Sequence, residues 1–285
     1  MYIQYEPPDE LKHIVCFFYA MEHHSDDEPL QSLLPSGTAV NGWQYSGKYR
    51  IQYVLHNKEF NYLLPDFYVV GQQMIGYKLT AEQGLAGIFG ASLQPGTVHR
   101  ISGKPAWLYT NNVVESTTFF SPPVISPFIT RFRKTKDNRE RLALLTEFYR
   151  QFNIADEYEL FKEAIRLIYR HRGCISVKKI CENLRINERY LQREFRAKLG
   201  VAPSNYLKVI RFNNIFTELS LAKERQNLET LALLYNYYDL SHFNKEYKNY
   251  FGLAPSKFLL HEFSLLKDLI SETPYLLEVQ KRNSF

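Results

Sequence analysis

Arg189, Gln192, Arg193 and Arg196 recur at three- and four-residue spacing along a segment in which Leu191, Phe195 and Leu199 recur at i, i+4 and i+8. On a helix these sets occupy opposite faces, one buried and one carrying guanidinium and amide groups. Arginine's paired N–H donors match the O6 and N7 acceptors of guanine, and glutamine can pair with N6 and N7 of adenine. The outer face therefore has the chemistry to read base edges in a duplex major groove. Glu188 and Glu194 in the same run suit an ordinary solvated helix equally well, so this stretch alone leaves both readings open.

A second stretch repeats the pattern. Leu191 answers to Phe243, Phe195 to Tyr247, Gly200 to Gly252 and Pro203 to Pro255, each 52 residues on. In the first copy Val177–Leu184 reads as a short helix. Arg185-Ile186-Asn187 reads as a turn, with Asn187 placed to cap a second helix. In the second copy Leu228, Leu231 and Ala232 form the packing side of the first helix, and Asn236 to Asp239 form the turn, with Asn236 suited to a positive φ. Ser241, His242, Asn244, Lys245 and Lys248 then line an outer face while Phe243, Tyr247 and Phe251 point inward. Asp239 and Ser241 would serve equally as helix caps, Lys248 as a contact to backbone phosphate alone, and His242 as a partly buried stacking residue.

These residues resemble the AraC/XylS family of bacterial transcriptional regulators. Ala232, Asn236-Tyr237, Asp239, Ser241, Phe243, Tyr247-Lys248, Gly252, Pro255 and Phe258 follow the family signature, and Arg211 with Ile215 and Leu219 matches the long helix joining its two helix-turn-helix units. The resemblance covers roughly residues 174–260. The chain departs from the pattern at Asn236 for the turn glycine, at Tyr237 and Tyr247 for phenylalanines, and at Ala254 for threonine; none lies on the outer face. The resemblance implies that each second helix enters the major groove, the two about one helical turn or roughly 34 Å apart. It implies base reading by Arg189, Gln192, Arg193, His242, Asn244 and Lys245, and phosphate contacts by Lys178, Lys179, Arg196, Lys208, Ser241 and Lys248. Double-stranded DNA is then the expected partner. A small-molecule effector, RNA polymerase and a second copy of the chain are further partners such regulators have. Leu34 to Gly37, Val70-Gly71-Gln72, and Leu93 to Gly96 followed by Leu108 to Thr110 also resemble a β-rich domain of unknown function found in some of these regulators.

Residues 1–121 read as mostly β, a sandwich or barrel-like domain for effector binding or dimerisation. Ile14–Tyr19, Ala39–Trp43, Arg50–Leu55, Phe67–Val70, Ile75–Leu79 and Leu85–Phe89 are short aliphatic and aromatic runs cut by turn residues. Ser121-Pro122-Pro123 to Pro127 stops this pattern. Residues 122–172 read as a helical linker: Asp137 or Asn138 caps one helix carrying Leu142, Leu145, Phe148, Tyr149 and Phe152. A second helix carries Leu160, Phe161, Ile165, Ile168 and Tyr169. Those apolar faces suit packing against their own chain or a dimer seam. Residues 173–262 form the double helix-turn-helix domain and 263–285 a tail. The class is α+β, with an all-α C-terminal domain.

Charge follows the same division. Residues 170–261 hold 16 Lys/Arg against 8 Asp/Glu, whereas residues 1–130 hold 7 against 11. A basic half beside an acidic one suits a chain in which only one domain meets phosphate. Three scattered cysteines, Cys16, Cys174 and Cys181, give neither a disulfide framework nor a zinc site. With no leader-like opening and no long apolar run, a cytoplasmic protein is expected. His23-His24 beside Asp26-Asp27-Glu28 have ligand-type side chains, but adjacent histidines in an acidic loop are usually solvated, and no metal or other cofactor is expected. His56 and His99 are too far apart in sequence to assess as a pair. Trp43, Tyr45, Tyr53, Tyr62, Tyr68 and Tyr77 could line an aromatic pocket or simply form core. No phosphate loop, nucleophile elbow or His-Glu-x-x-His occurs. The leading reading is a non-enzymatic DNA-binding regulator under effector control. The alternatives are a ligand-free regulator whose first domain only dimerises, and an enzyme with a DNA-targeting domain.

Overall fold

The computed structural model describes residues 1–26, 31–55, 57–152, 159–221 and 228–251. His56, Asp27, Glu28, Gly252, Pro255, Phe258 and the tail at 263–285 lie outside the described residues.

The first part of the chain is two antiparallel sheets. Its strands are β1 (Tyr2–Tyr5), β2 (Val15–His24), β3 (Gln31–Leu33), β4 (Ala39–Ser46), β5 (Tyr49–Leu55), β6 (Lys58–Leu63), β7 (Phe67–Val70), β8 (Tyr77–Ala81), β9 (Leu85–Leu93) and β10 (Val113–Glu115). One sheet has the order β1-β2-β9-β4-β7-β10, the other β3-β8-β5-β6. Period-two alternation sorts the larger sheet's two faces. On β2, Phe17, Tyr19 and Met21 face the smaller sheet, while Phe18 and Ala20 belong to a second core on the outer side.

Helices cover that outer side. After α1 (Thr97–Ser102) and α2 (Ser116–Phe119), α3 (Pro122–Phe132) and α4 (Asn138–Arg150) lie across it. Trp43, fully buried, sits among Phe128, Phe132, Phe148 and Tyr149, with ring centroids 5.2–6.5 Å away. Asp137 caps α4 by accepting from the Glu140 N–H at 2.9 Å. The Ser121 to Pro127 stretch thus opens α3, and α3 with α4 completes the core of the β-rich part rather than leaving it.

The remaining helices are α5 (Glu159–Arg170), α6 (Val177–Leu184), α7 (Glu188–Lys198), α8 (Pro203–Leu221), α9 (Leu228–Leu234) and α10 (Leu240–Phe251). Phe161, Ile165 and Ile168 of α5 pack with Ile180, Leu191 and Phe195. The buried faces of α4 and α5 are therefore both occupied by their own chain. Among the described residues no helix is long and apolar enough to cross a membrane.

The six strands expected from sequence are present, within a few residues at the ends. β1, β3, β6 and β10 were not legible, being short or, for β6, a largely exposed edge with alternating polar residues. Of the six aromatic residues grouped as a possible pocket, Tyr68 and Tyr77 line one cavity. Trp43 lies under the helices, Tyr45 under the Arg141 guanidinium at 3.7 Å, and Tyr53 and Tyr62 contact each other on the smaller sheet.

Candidate nucleic-acid interface

Helices α6 and α7 form one helix-turn-helix unit, and α9 and α10 a second. Each is built by the same local bonds. Ser176 caps α6, accepting from the Lys179 N–H at 3.1 Å, and Asn187 caps α7, accepting from the Tyr190 N–H at 2.8 Å. Asp239 caps α10, accepting from the His242 N–H at 2.7 Å. The turns also correspond: the Ile186 N–H donates to the Cys181 carbonyl at 3.1 Å, and the Tyr237 N–H to the Ala232 carbonyl at 2.9 Å.

The registers are not identical. The turn bonds relate the first helices by 51 residues, whereas the caps relate the second helices by 52. Copy two therefore carries one extra turn residue, Tyr238, whose side chain is 95 % exposed. Both turns pass through the left-handed region, at Arg185 (φ 55°) and Asn236 (φ 59°). Asparagine tolerates that conformation, whereas arginine there carries a strain of roughly 1–2 kcal/mol.

The outer faces of α7 and α10 are open to solvent. Arg189, Gln192, Arg193 and Arg196 of α7 are exposed, as are Ser241, His242, Asn244, Lys245 and Lys248 of α10. Leu191, Phe195, Phe243 and Tyr247 are buried beneath them. Arg193 lies 5.1 Å from the Tyr190 ring centre, which holds its guanidinium near the helix N-terminal half. His242 stands edge-on to Tyr237, centroids 5.4 Å apart, with its side chain 55 % exposed.

The phosphate set is less uniform. Lys178 and Lys179 are exposed on α6, with Lys179 3.3 Å from Glu182. Arg196 lies over the Trp107 ring at 5.8 Å. Lys208 is ion-paired with Glu246 at 2.9 Å. Glu246 also accepts from the Tyr237 hydroxyl at 3.0 Å, so this carboxylate ties α10 to α8 and to its own turn. Burial works against its charged form, but the Lys208 ammonium and Tyr237 hydroxyl outweigh it and hold its pKa below the usual value.

The 19 residues of α8 span roughly 28 Å as a helix, close to the roughly 34 Å of one duplex turn. Its middle and its C-terminal turn are fastened to the loop before α6 and to copy two. Arg211 donates to the Gly173 carbonyl at 2.9 and 3.1 Å and lies over Tyr237. Glu218 accepts from Arg172 at 2.8 Å and from the Tyr235 hydroxyl at 3.1 Å.

Three groups on α8 and α10 reach into the β-rich part, which sequence reasoning did not anticipate. The Tyr250 hydroxyl donates to the Pro35 carbonyl (2.7 Å), the Asn213 amide to the Ser36 carbonyl (2.9 Å) and the Tyr206 hydroxyl to the Gly37 carbonyl (3.1 Å). Beside α7, the Thr110 hydroxyl donates to the Gly200 carbonyl at 2.9 Å. One signal was available: Asn213 lies among Val209, Ile210, Phe212, Ile215 and Phe216, and an amide buried there requires a partner. Among the described residues no group of three or more potential metal ligands occurs. His23 instead meets the Tyr49 hydroxyl at 3.0 Å, and His99 the Lys104 carbonyl at 2.8 Å.

Two helix-turn-helix units thus present separate exposed faces on either side of one long helix. Residues 180–261 match the family described as "Helix-turn-helix domain". Over these residues the chain carries a helix-turn-helix domain. Among solved structures it is similar to ToxT from Vibrio cholerae, at 14 % identity and TM-score 0.45, covering 87 % of this chain and 99 % of that one. It is similar also to unsaturated fatty acid-bound ToxT of strain SCE256, at 15 % identity and TM-score 0.43, with 86 % and 94 % covered. It is similar in part to hydroxypropylphosphonic acid epoxidase from S. wedmorenis, at 10 % identity and TM-score 0.24, with 29 % of this chain and 45 % of that one covered.

Proposed function

We propose that the chain recognises two unlike, adjacent half-elements of duplex DNA through one protomer, and regulates transcription by binding rather than by catalysis. The observation that carries this is the pairing of a shared packing frame with different exposed faces: Arg189, Gln192 and Arg193 on α7, His242, Asn244 and Lys245 on α10. These six residues are assigned to base edges. Lys178, Lys179, Arg196, Lys208, Ser241 and Lys248 are assigned to phosphate, with Lys208 exchanging Glu246 for the backbone. Phosphate contacts release counterions, so affinity falls steeply with salt. Fluorescence anisotropy with a selected duplex and a scrambled one, across a salt series, tests this. A large gap between the two duplexes at moderate salt supports it, and equal binding at every salt concentration contradicts it.

The reading divides the chain into a β-rich unit running through α4 and a DNA-binding unit beginning at α5, since the two helices bury their apolar faces in different cores. Control by a small molecule at the β-rich unit is supported by the cavity between its sheets. Leu233 and Leu234, 71 % and 61 % exposed, lie beside Tyr238 on α9 and its turn. An apolar patch next to the DNA face suits a protein contact, and RNA polymerase is the partner that the family resemblance supplies. A second copy of the chain is the other.

A further inference from the structure

Ala106 and Tyr109 stand three residues apart in a short 3₁₀ turn, Ala106–Tyr109, and both are buried. Side chains at i and i+3 of such a turn share one face, so Trp107 between them is turned outward and is 46 % exposed. The turn is fixed from within the β-rich unit. Tyr109 stands edge-on to Phe119 with ring centroids 5.2 Å apart, and a methyl group at Gly71 would fall 2.3 Å from the Tyr109 carbonyl oxygen. Just past the turn, Asn111 donates its N–H to the Gln72 carbonyl at 3.0 Å, and its side-chain oxygen accepts from the Met74 N–H at 2.7 Å.

The same turn abuts the end of α7. The Thr110 hydroxyl meets the carbonyl of Gly200, four residues beyond Arg196. The Arg196 guanidinium carbon accordingly lies 5.8 Å from the Trp107 ring centre, within reach of a cation–π contact. Neighbouring cations on α7 are held differently: the Glu194 carboxylate is 3.6 Å from Arg193 and 2.6 Å from Lys198. Among the described residues no carboxylate pairs with Arg196, and its side chain is exposed. A carboxylate would occupy its N–H donors and cancel its charge. A ring takes only the planar face of the guanidinium and leaves donors and charge free for an anion. A long side chain held before binding also has less rotamer freedom to lose on binding.

We propose that Trp107 of the β-rich unit is a positioning residue for DNA binding: its ring holds the Arg196 guanidinium in place for a backbone phosphate beside the segment that α7 reads. This rests on the reading of α7 as a base-reading helix. It makes the β-rich unit part of the DNA interface, because the first helix-turn-helix copy by itself would present Arg196 on an unrestrained side chain.

Fluorescence anisotropy with the full chain, a selected duplex and a scrambled one tests this. Trp107→Ala is expected to weaken both duplexes alike, by about three- to tenfold, through the freeing of one long side chain. Its salt slope is expected to match wild type because Arg196 still reaches phosphate, whereas Arg196→Ala lowers the slope by about 0.9. Trp107→Phe is expected to recover most of the loss and Trp107→Leu little of it, since only an aromatic ring has a negative face. In an Arg196→Ala background, Trp107→Ala is expected to change nothing further. Unchanged binding by Trp107→Ala, Trp107→Leu binding like wild type, or an equal loss from Trp107→Ala with and without Arg196 would overturn the positioning role. Tighter binding by Trp107→Ala would overturn it too, the ring then withholding Arg196 from DNA. Each of these outcomes leaves the wild-type preference for the selected duplex intact. Absence of that preference would sink the base-reading assignment itself.

Discussion

Tyr250, on α10, donates its hydroxyl to the carbonyl of Pro35 in the β-rich unit at 2.7 Å. Asn213 Oδ1 lies 3.0 Å from the same hydroxyl, and Asn213 and Tyr206 hold the next two carbonyls. Three consecutive backbone acceptors, Pro35 to Gly37, are thus capped by three side chains from α8 and α10. Gly37 adopts φ 84°, and a methyl group there would meet Ile210 at 3.0 Å. The segment is shaped to be held, and α8, which holds it, also joins the two helix-turn-helix units.

Tyr250→Phe leaves the Pro35 carbonyl without its donor. The expected loss is about 1–3 kcal/mol of unfolding free energy. Tyr238→Phe, on a 95 % exposed residue, is expected to stay within about 0.5 kcal/mol. Chemical denaturation of the two variants side by side checks this; equal stabilities would show that the contact contributes nothing.

Gly200→Ala attacks the other junction. Gly200 has φ 92°, and an added methyl would sit 2.4 Å from the Thr110 hydroxyl oxygen and 2.8 Å from the Ala106 carbonyl oxygen. Left-handed strain of roughly 1–2 kcal/mol adds to a clash with backbone. A fall in Tm of several degrees is expected; an unchanged melting curve would mean that α7 does not dock there in solution.

Acid should loosen copy two through Glu246. Its folded pKa is lowered from 4.5, so its ion pair and hydrogen bond stabilise the fold fully above the unfolded value. That contribution fades as pH falls below 4.5 through the folded value. Glu246→Gln is expected to lower stability at neutral pH and to flatten the loss between pH 5 and 3. Parallel acid dependence in the two proteins would contradict this.

Arg193→Ala is expected to cost on the order of 1–3 kcal/mol in DNA binding and to blur preference at one base pair. Lys179→Ala is expected to weaken all sequences alike and reduce the salt slope. Titrations in which both changes were sequence-neutral would remove Arg193 from the base-reading set.

The helix-turn-helix pair was legible because its determinants are local. Asn187 and Asp239 as caps, Asn236 at positive φ, and the inward set of Leu191, Phe195, Phe243 and Tyr247 all follow from spacing along one or two helices. Six strands were legible for the same reason. The grip on Pro35–Gly37 was not, because Tyr206, Asn213 and Tyr250 bond to carbonyls 169 to 215 residues away, and backbone acceptors leave no trace in residue type. The cavity was only half legible. Tyrosine is frequent in this chain, and which rings meet depends on sheet order, so Tyr68 and Tyr77 could not be told from Trp43 or Tyr53. The one-residue difference between the two turns was concealed because the second helices alone set the 52-residue match.

The most direct test is selection of bound sequences from a random duplex pool with the full chain. Two unlike half-elements with centres about ten base pairs apart are expected, with Arg193→Ala relaxing one and Lys245→Ala the other. A palindromic consensus, a single half-element unaffected by the α10 substitution, or no enrichment at any salt would contradict recognition by two different faces of one chain.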